Sequence, residues 1–190
     1  MRAWMLAAAG LLLGTAGAGA QESARRVTPE VRPYVGVYLP AGAMRDQFKA
    51  ATTLGAQGAL ELSRNLHLLA NGSWTHGHTK LAVTNDVTYV WQYDVGVEAN
   101  VARPLGGGWL FRPFAGLGAG GRTYDYRASG VASRSCTAGY GALGTELQTG
   151  GVAVRVEGRD YLSCYRAPTA TASHTRNDVG LALGMAYHLR

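Results

Sequence analysis

The stretch from Val87 to Val101 alternates between apolar and polar side chains with the period of two that defines a β-strand. The alternation lasts about 15 residues, whereas an ordinary strand has about five or six. Both the length and the alternation are typical of a strand that crosses a bilayer, in which successive side chains point alternately to the lipid and to the lumen. One face carries Val87, Tyr89, Trp91, Tyr93, Val95, Val97, Ala99 and Val101, and the other carries Thr88, Gln92, Asp94, Gly96, Glu98 and Asn100, with Val90 as the one exception.

The rest of the chain predicts seven further strands of this kind, separated by turn residues. Their connections alternate between long and short, as in bacterial outer-membrane barrels with short periplasmic turns and longer extracellular loops. The predicted fold is therefore all-β, an eight-stranded antiparallel up-and-down transmembrane β-barrel. The predicted strands are residues 31–39, 54–63, 66–75, 87–101, 110–126, 137–148, 152–165 and 178–189, the long connections are 40–53, 76–86, 127–136 and 166–176, and the short ones are 63–65, 103–108 and 149–151.

The N-terminal segment predicts a secretory signal peptide. Arg2 supplies the positive start, Met5 to Leu13 the apolar run, and Ala18-Gly19-Ala20 the small-residue cleavage site. No cysteine follows that site directly, so a bacterial lipid anchor is not expected. We expect residues 1–20 to be a cleaved signal peptide, 21–30 a short tail and 31–190 the barrel domain, placed in the outer membrane of a Gram-negative-type cell.

The polar faces of the predicted strands carry both carboxylates and arginines, interleaved with many of the 27 glycines. Glycine on a solvated face only weakens a strand, but inside a narrow eight-stranded barrel it leaves room for large charged side chains. We therefore expect the charged faces to point inward, where they pair and fill the lumen without a large open channel. In particular, Asp94 and Glu98 are expected to pair with Arg112, Arg122 or Arg155. The expected lumen charges are Glu61, Asp94, Glu98, Arg112, Arg122, Glu146, Arg155, Glu157, Arg159 and Asp178.

A family resemblance rests on three segments, residues 33–39, 113–120 and 154–160, together with the closing strand. From Arg32 onward the chain resembles the small eight-stranded outer-membrane barrels, the group that contains outer-membrane protein X and the membrane domain of outer-membrane protein A. The resemblance implies that the barrel-assembly machinery reads the C-terminal strand. Members of that group usually end in an aromatic residue, whereas this chain ends in Arg190, which puts the strength of that signal in question.

The sequence predicts a non-enzymatic protein without cofactor or metal, with a structural or interaction role at the cell surface. Its net charge of +6 favours contact with outer-membrane lipopolysaccharide, and no basic cluster with interleaved aromatics suggests nucleic-acid binding. Two alternatives stay open: a lipid A-modifying barrel enzyme and a periplasmic soluble lipid-binding barrel. A deacylase of this architecture would need a lipid-facing His–Ser pair with a carboxylate, whereas His67 and Ser73 fall on the predicted lumen face.

Cys136 and Cys164 are the only cysteines, about equally far from the turn at 149–151. The predicted hairpin brings them close together in an oxidising compartment, where disulfides persist. Because strict alternation places them on opposite faces, a bulge or a relaxed loop is needed to join them. We expect a disulfide, with two free thiols as the alternative.

Histidines and aromatics mark the predicted ends of the strands. His76, His78 and His174 fall in two predicted extracellular loops; three histidines are enough to hold a metal, but nothing else in their spacing supports a site, so solvated loop residues are expected. The aromatics expected at the membrane–water interface are Trp74, Tyr89, Trp91, Tyr93 and Tyr187.

Overall fold

The protein, seen in a computed structural model, is built almost entirely of β-strands. The structure describes residues 29–42, 45–46, 48–78, 80, 87–127, 132–165 and 174–188, so the segment expected to be a signal peptide and most of the expected tail lie outside it. No helix in these ranges is long and apolar enough to span a membrane. The strands are β1 (Pro29–Pro40), β2 (Ala51–Ser63), β3 (Leu66–His78), β4 (Val87–Asn100), β5 (Arg103–Gly106), β6 (Trp109–Tyr126), β7 (Arg134–Thr149), β8 (Val152–Tyr165) and β9 (His174–His188).

Eight long strands pair with their neighbours in an antiparallel ring, which confirms the predicted closed barrel. Consecutive long strands pair with each other, and β1 pairs with β9 to close the ring. β4 pairs directly with β6, and the four-residue β5 lies along the same edge of β6 beyond the end of β4. The tight turns lie at one end of the barrel, called the turn end below, and the longer connections lie at the other, the loop end.

The barrel is polar inside and apolar outside. On β4, Val95 is 62% exposed, while the neighbouring Asp94 is 7% exposed and Glu98 only 2%. The other long strands show the same division, with valines and leucines exposed around the outside. The charged faces therefore point inward, as the sequence predicted. A continuous apolar belt would be costly in water but is suited to lipid, so the alternative of a soluble barrel does not fit.

Several strand boundaries differ from the prediction. β1 begins at Pro29 rather than Val31, so Glu30 belongs to the barrel and not to the tail. β3 runs to His78 and β9 starts at His174, so the expectation that the three histidines lie in loops was wrong. β7 begins at Arg134, which also places Cys136 in a strand. In each case the backbone hydrogen bonds of the sheet continue into residues of types that are common in loops.

The segment 103–108, predicted as a turn, forms a small hairpin instead. Arg103 and Pro104 pair with Phe111 and Leu110 of β6, and only the residues after Gly106 turn. Gly106, Gly107 and Gly108 all have positive φ angles, which glycine adopts without steric cost. The three glycines therefore confine the reversal to a short span and allow β5 to pair.

Val90, the one break in the alternation of β4, has a structural explanation. It faces the lumen near the loop end and belongs to a buried apolar group, called the mouth cluster below. Phe48, from the connection between β1 and β2, packs there with its ring centroid 5.8 Å from that of Tyr124 and is 3% exposed. The cluster consists of Tyr38, Phe48, Ala51, Val90, Tyr124 and Tyr126.

Candidate functional site

The lumen contains a continuous network of charged side chains, and Arg155 of β8 lies near the centre of its turn-end half. Its guanidinium contacts both Glu98 of β4 and Glu157 of its own strand, the latter at 2.7 Å. Glu146 of β7 lies 3.6 Å away. The guanidinium also stacks over the ring of Phe114, 3.5 Å from its centroid. Arg155 thus ties β4, β6, β7 and β8 together across the lumen.

Arg32 of β1, two strands from β8 in the ring, joins the same cluster. It donates to Glu98 at 3.1 Å and to Glu30 at 2.9 Å, so Glu98 is shared between two arginines from different strands. Nearer the turn end, Arg112 pairs with Glu146 at 3.0 Å. A buried carboxylate such as Glu98 costs little free energy only if it is paired and hydrogen-bonded, and its two arginines meet that condition.

Arg159 occupies the middle of the lumen. It pairs with Asp94 at 3.1 Å, contacts Glu157, and stacks 4.5 Å from the ring centroid of Tyr140. Asp94 also accepts hydrogen bonds from Asn71 and Gln92, each at 2.9 Å. The expected pairing of Glu98 with Arg155 occurs. The expected pairing of Asp94 with Arg112, Arg122 or Arg155 was wrong. The strands are inclined to the barrel axis, and this inclination brings Arg159 to the level of Asp94.

Arg122 forms the loop-end layer of the network, below the mouth cluster. It donates to Asp178 at 2.6 Å and, from two of its nitrogens, to the side-chain amide oxygen of Gln92 at 2.9 and 2.8 Å. The ring of Tyr161 lies 4.3 Å from the guanidinium carbon. A planar guanidinium held on its edge by hydrogen bonds and on its face by an aromatic ring has little freedom to move.

Free space within the lumen is small. A cavity of about 40 Å³ lies between the Arg122 and Arg159 layers, lined among others by Tyr34, Tyr38 and Tyr161. A second cavity of about 10 Å³ lies beside Arg32 and Arg155. A single water needs roughly 10–15 Å³ by this measure, so these spaces suit one to a few waters and no larger solute.

Nine of the ten charges expected in the lumen lie in this network. The tenth, Glu61, is half-buried at the turn end of β2, opposite His67 in the pairing register. The sequence reasoning missed Arg32 and Glu30. Both residues alternate with the same period as Tyr34 and so lie on its face of β1, which could have revealed them. The sequence placed His67, Gln92 and Asn100 on the lumen face but gave them no role in the network. In the structure the amides and the imidazole that complete it are Gln57, His67, Asn71, Gln92 and Asn100.

The two cysteines are free thiols in the structure, and the expected disulfide stays a prediction. The recorded pairing of β7 and β8 ends at Ala138 and Ser163, one residue short of Cys164 and two short of Cys136. The thiol of Cys164 lies 3.5 Å from the Thr137 carbonyl on the outer face, while Cys136 is partly buried against the mouth cluster inside. The side chains of Cys136 and Cys164 nevertheless contact each other through a hydrogen bond near the loop end, beyond the last recorded pair of the two strands.

The outer face carries an aromatic girdle near the loop end. Trp74 of β3 lies between two side chains of β4, with ring centroids 5.5 Å from Tyr89 and 6.5 Å from Trp91. Trp91 and Tyr93 are each more than half exposed. Tyr187 lies at the opposite end of the barrel and is 40% exposed. Trp and Tyr collect at membrane–water interfaces, so we expect these residues to mark the two edges of the hydrocarbon layer.

His76 and His78 continue the girdle on the same face of β3. The ring centroid of His76 lies 5.4 Å from that of Tyr89, and the two imidazole centroids are 5.6 Å apart. Arg127 covers the other part of Tyr89, with its guanidinium carbon 4.8 Å from the ring centroid. Within the described ranges no group of three or more potential metal ligands occurs.

A closed ring of eight strands with an apolar belt, aromatic girdles and a charge-filled interior defines a transmembrane β-barrel. The family model described as outer membrane protein beta-barrel domain matches residues 6–190. The chain therefore belongs to this family and is an outer-membrane protein, as the resemblance implied. No curated protein matches it in sequence.

Solved structures share the fold at low sequence identity. Neisserial surface protein A matches with a TM-score of 0.64 at 7% identity, over 85% of this chain and 97% of that one. A major outer membrane protein from Thermus thermophilus gives 0.50 at 9% identity, over 87% and 100%. Ail, the attachment invasion locus protein of Yersinia pestis, gives 0.49 at 11% identity, over 86% and 98%. At these identities the likeness concerns architecture alone.

Proposed function

We propose that this protein is a non-enzymatic outer-membrane barrel that presents its loop end at the cell surface for structural or interaction purposes. The observation that carries the proposal is the filled lumen. Five arginines are paired with carboxylates along its described length, and the mouth cluster covers them at the loop end. A rigid, plugged barrel suits an anchor whose outward surfaces make the contacts.

The polar groups that hydrolysis would use serve structural roles in this proposal. His67 is 5% exposed, hydrogen-bonds Asn100 at 2.9 Å and lies 3.9 Å from Glu98 inside the lumen. Ser73 is on the same inward face of β3. An acyl chain in the surrounding lipid cannot reach either side chain through the closed wall. This arrangement favours an anchor over the alternative of a lipid A-modifying enzyme.

The outward partner that we propose is lipopolysaccharide. Arg127, whose side chain is 59% exposed, lies over Tyr89 in the loop-end girdle. Exposed Lys80 is tied by a 2.7 Å hydrogen bond from its ammonium to the backbone carbonyl of Arg45. Cations next to interfacial aromatics are placed where the phosphates of an anionic leaflet lie. Assembly would proceed through the barrel-assembly machinery acting on β9, after removal of residues 1–20 as a signal peptide.

Lipid A analysis tests the non-enzymatic part of the proposal. Cells that express the full chain should yield the same lipid A mass spectrum as cells carrying the empty vector, while the protein fractionates with the outer membrane and shows heat-modifiable gel mobility. A new deacylated or acylated lipid A species that appears with the folded protein would favour the enzyme. Loss of that species in a His67→Gln variant would then identify the residue responsible.

The lipopolysaccharide contact is tested by thermal unfolding in micelles with and without added lipopolysaccharide. We expect a rise in the unfolding temperature for the wild type and a smaller rise for an Arg127→Gln, Lys80→Gln variant. Arg64→Gln, a substitution of an arginine in the turn between β2 and β3, is the matched control at the other end and should behave as the wild type. Equal stabilisation of all three proteins would show that this basic group does not bind the lipid.

A further inference from the structure

We propose that His76 and His78 form a two-imidazole site for a first-row divalent transition metal, of the kind represented by Cu²⁺, Ni²⁺ and Zn²⁺. The site lies on the outer face of β3, above the girdle aromatics and at the loop end of the barrel. This inference is independent of the proposed function, since it requires only that β3 extends through both histidines.

The spacing along the strand supplies the geometry. Residues two apart on a strand point to the same side, and Gly77 between the histidines faces the lumen and is buried. The two ring centroids are 5.6 Å apart, with the ring planes inclined by 34°. A metal takes imidazole nitrogens at about 2.0–2.1 Å, which places the centres of two ligating rings about 5 Å apart. Small side-chain rotations therefore bring a nitrogen from each ring to one ion.

Neighbouring residues hold the two rings in place. His76 packs against Tyr89 at 5.4 Å and Trp74 at 5.9 Å, and its backbone pairs with Thr52 on one side and Tyr89 on the other. The backbone of His78 accepts a 3.1 Å hydrogen bond from Lys49. Ligands carried by a paired strand lose less freedom on binding than ligands in a loop, which favours chelation.

One imidazole nitrogen is ready for a ligand role. Nδ1 of His78 is buried and has no hydrogen-bond partner among the described residues. A buried nitrogen without a partner is costly, and coordination of a metal would relieve that cost. Arg127, which lies over Tyr89 beside His76, is paired with Asp125 at 3.6 Å, so it adds little net repulsion.

The chemistry of the ligands selects the metal. Neutral imidazole suits copper, nickel and zinc, whereas magnesium and calcium prefer oxygen ligands. Two histidines leave coordination positions for water or for phosphate oxygens of the surrounding headgroups. Among the divalent metals of this series Cu²⁺ binds most tightly to nitrogen ligands, so it is the most sensitive probe.

Titration of the refolded full-length barrel with Cu²⁺ alone tests the site, by calorimetry and by electron paramagnetic resonance. We expect one high-affinity ion per chain with a spectrum that shows two nitrogen donors. His76→Phe and His78→Phe keep an aromatic ring at each position, and each should weaken binding by about tenfold or more. The double variant should lose the two-nitrogen spectrum.

His174→Asn is the matched control, since this histidine begins β9, three strands away in the sheet. It should bind Cu²⁺ as the wild type does, and heat-modifiable mobility should show that every variant folds. Binding that survives the double variant would overturn the proposal, as would a requirement for only one of the two histidines. Absence of binding to the folded wild type would overturn it as well.

Discussion

The guanidinium of Arg122 on β6 donates a 2.6 Å hydrogen bond to the carboxylate of Asp178 on β9, three strands away around the barrel. Asp178 is fully buried and Arg122 is 1% exposed. Because the two strands are not neighbours, the pair spans the lumen instead of running along its wall. It closes the interior directly beneath the mouth cluster. The lumen is therefore a polar core, and its pairs should behave energetically as buried ion pairs do.

Removal of one partner of this pair should strongly destabilise the barrel. Arg122→Met leaves the Asp178 carboxylate buried without its cation, and the expected loss is about 3–5 kcal/mol in the free energy of unfolding. Urea unfolding in micelles measures it. An Arg122→Met, Asp178→Asn variant should recover part of the loss, because no uncompensated charge then remains.

The exposed pair formed by Arg127 and Asp125 provides the control. Arg127→Met should change the free energy of unfolding by less than about 1 kcal/mol, since surface ion pairs are screened by solvent. Equal effects of the two arginine substitutions would contradict the assignment of Arg122 to a buried core.

The aromatic side chains of the lumen should require glycine on the neighbouring strand. Phe114 lies over Gly144, where an added methyl group would collide with the ring and with the Val156 carbonyl. We expect Gly144→Ala to lower the free energy of unfolding by about 1–3 kcal/mol through overpacking. Gly141→Ala, three residues earlier on β7 with open space around it, should be neutral or slightly stabilising. Thermal unfolding of both variants separates crowding from a general loss of glycine.

The outer belt should tolerate charge only near its edges. Val95 lies in the middle of β4 and is 62% exposed toward lipid. Val95→Arg should cost about 2–4 kcal/mol, whereas Thr149→Arg at the turn end should cost about 0–1 kcal/mol. Folding into bilayers, measured by urea titration, distinguishes them. If the arginine at 95 were accepted as readily as that at 149, the exposed face would not be the lipid-facing one.

The two thiols should join when the protein folds under oxidising conditions. Because the side chains of Cys136 and Cys164 contact each other near the loop end, alkylation of unfolded protein kept free of reductant should modify neither residue. Intact mass measurement reports the number of alkyl groups before and after reduction. Modification of both residues without reduction would show that the thiols stay free in the folded barrel.

The alternation of residue types predicted the strands and their faces because lipid and a packed lumen impose opposite demands on successive residues. Val95 and Glu98 could be assigned in this way. The partner of each charge could not, because partners such as Arg159 and Asp94 meet across the lumen at a level set by strand inclination. That inclination emerges only when all eight strands close.

Other features escaped the pattern for local reasons. The sequence-based strand began at Val31, whereas Pro29 opens β1 in the structure, because proline is tolerated at the first position of a strand. Glu30 was therefore assigned to the tail. Arg32 lay within the predicted strand but was not assigned to the lumen network. Phe48 lies in a connection with no periodicity, and its role in the mouth cluster depends on contacts with distant strands.

The conductance of single barrels in planar lipid bilayers tests the filled lumen most directly. The layers of Arg155, Arg159 and Arg122, with cavities of only about 40 and 10 Å³ between them, predict no stable steps in the nanosiemens range for the folded protein. Heat-modifiable gel mobility of the same preparation establishes that the barrel is folded. Reproducible nanosiemens steps from that folded barrel would contradict the conclusion that paired charges close the lumen.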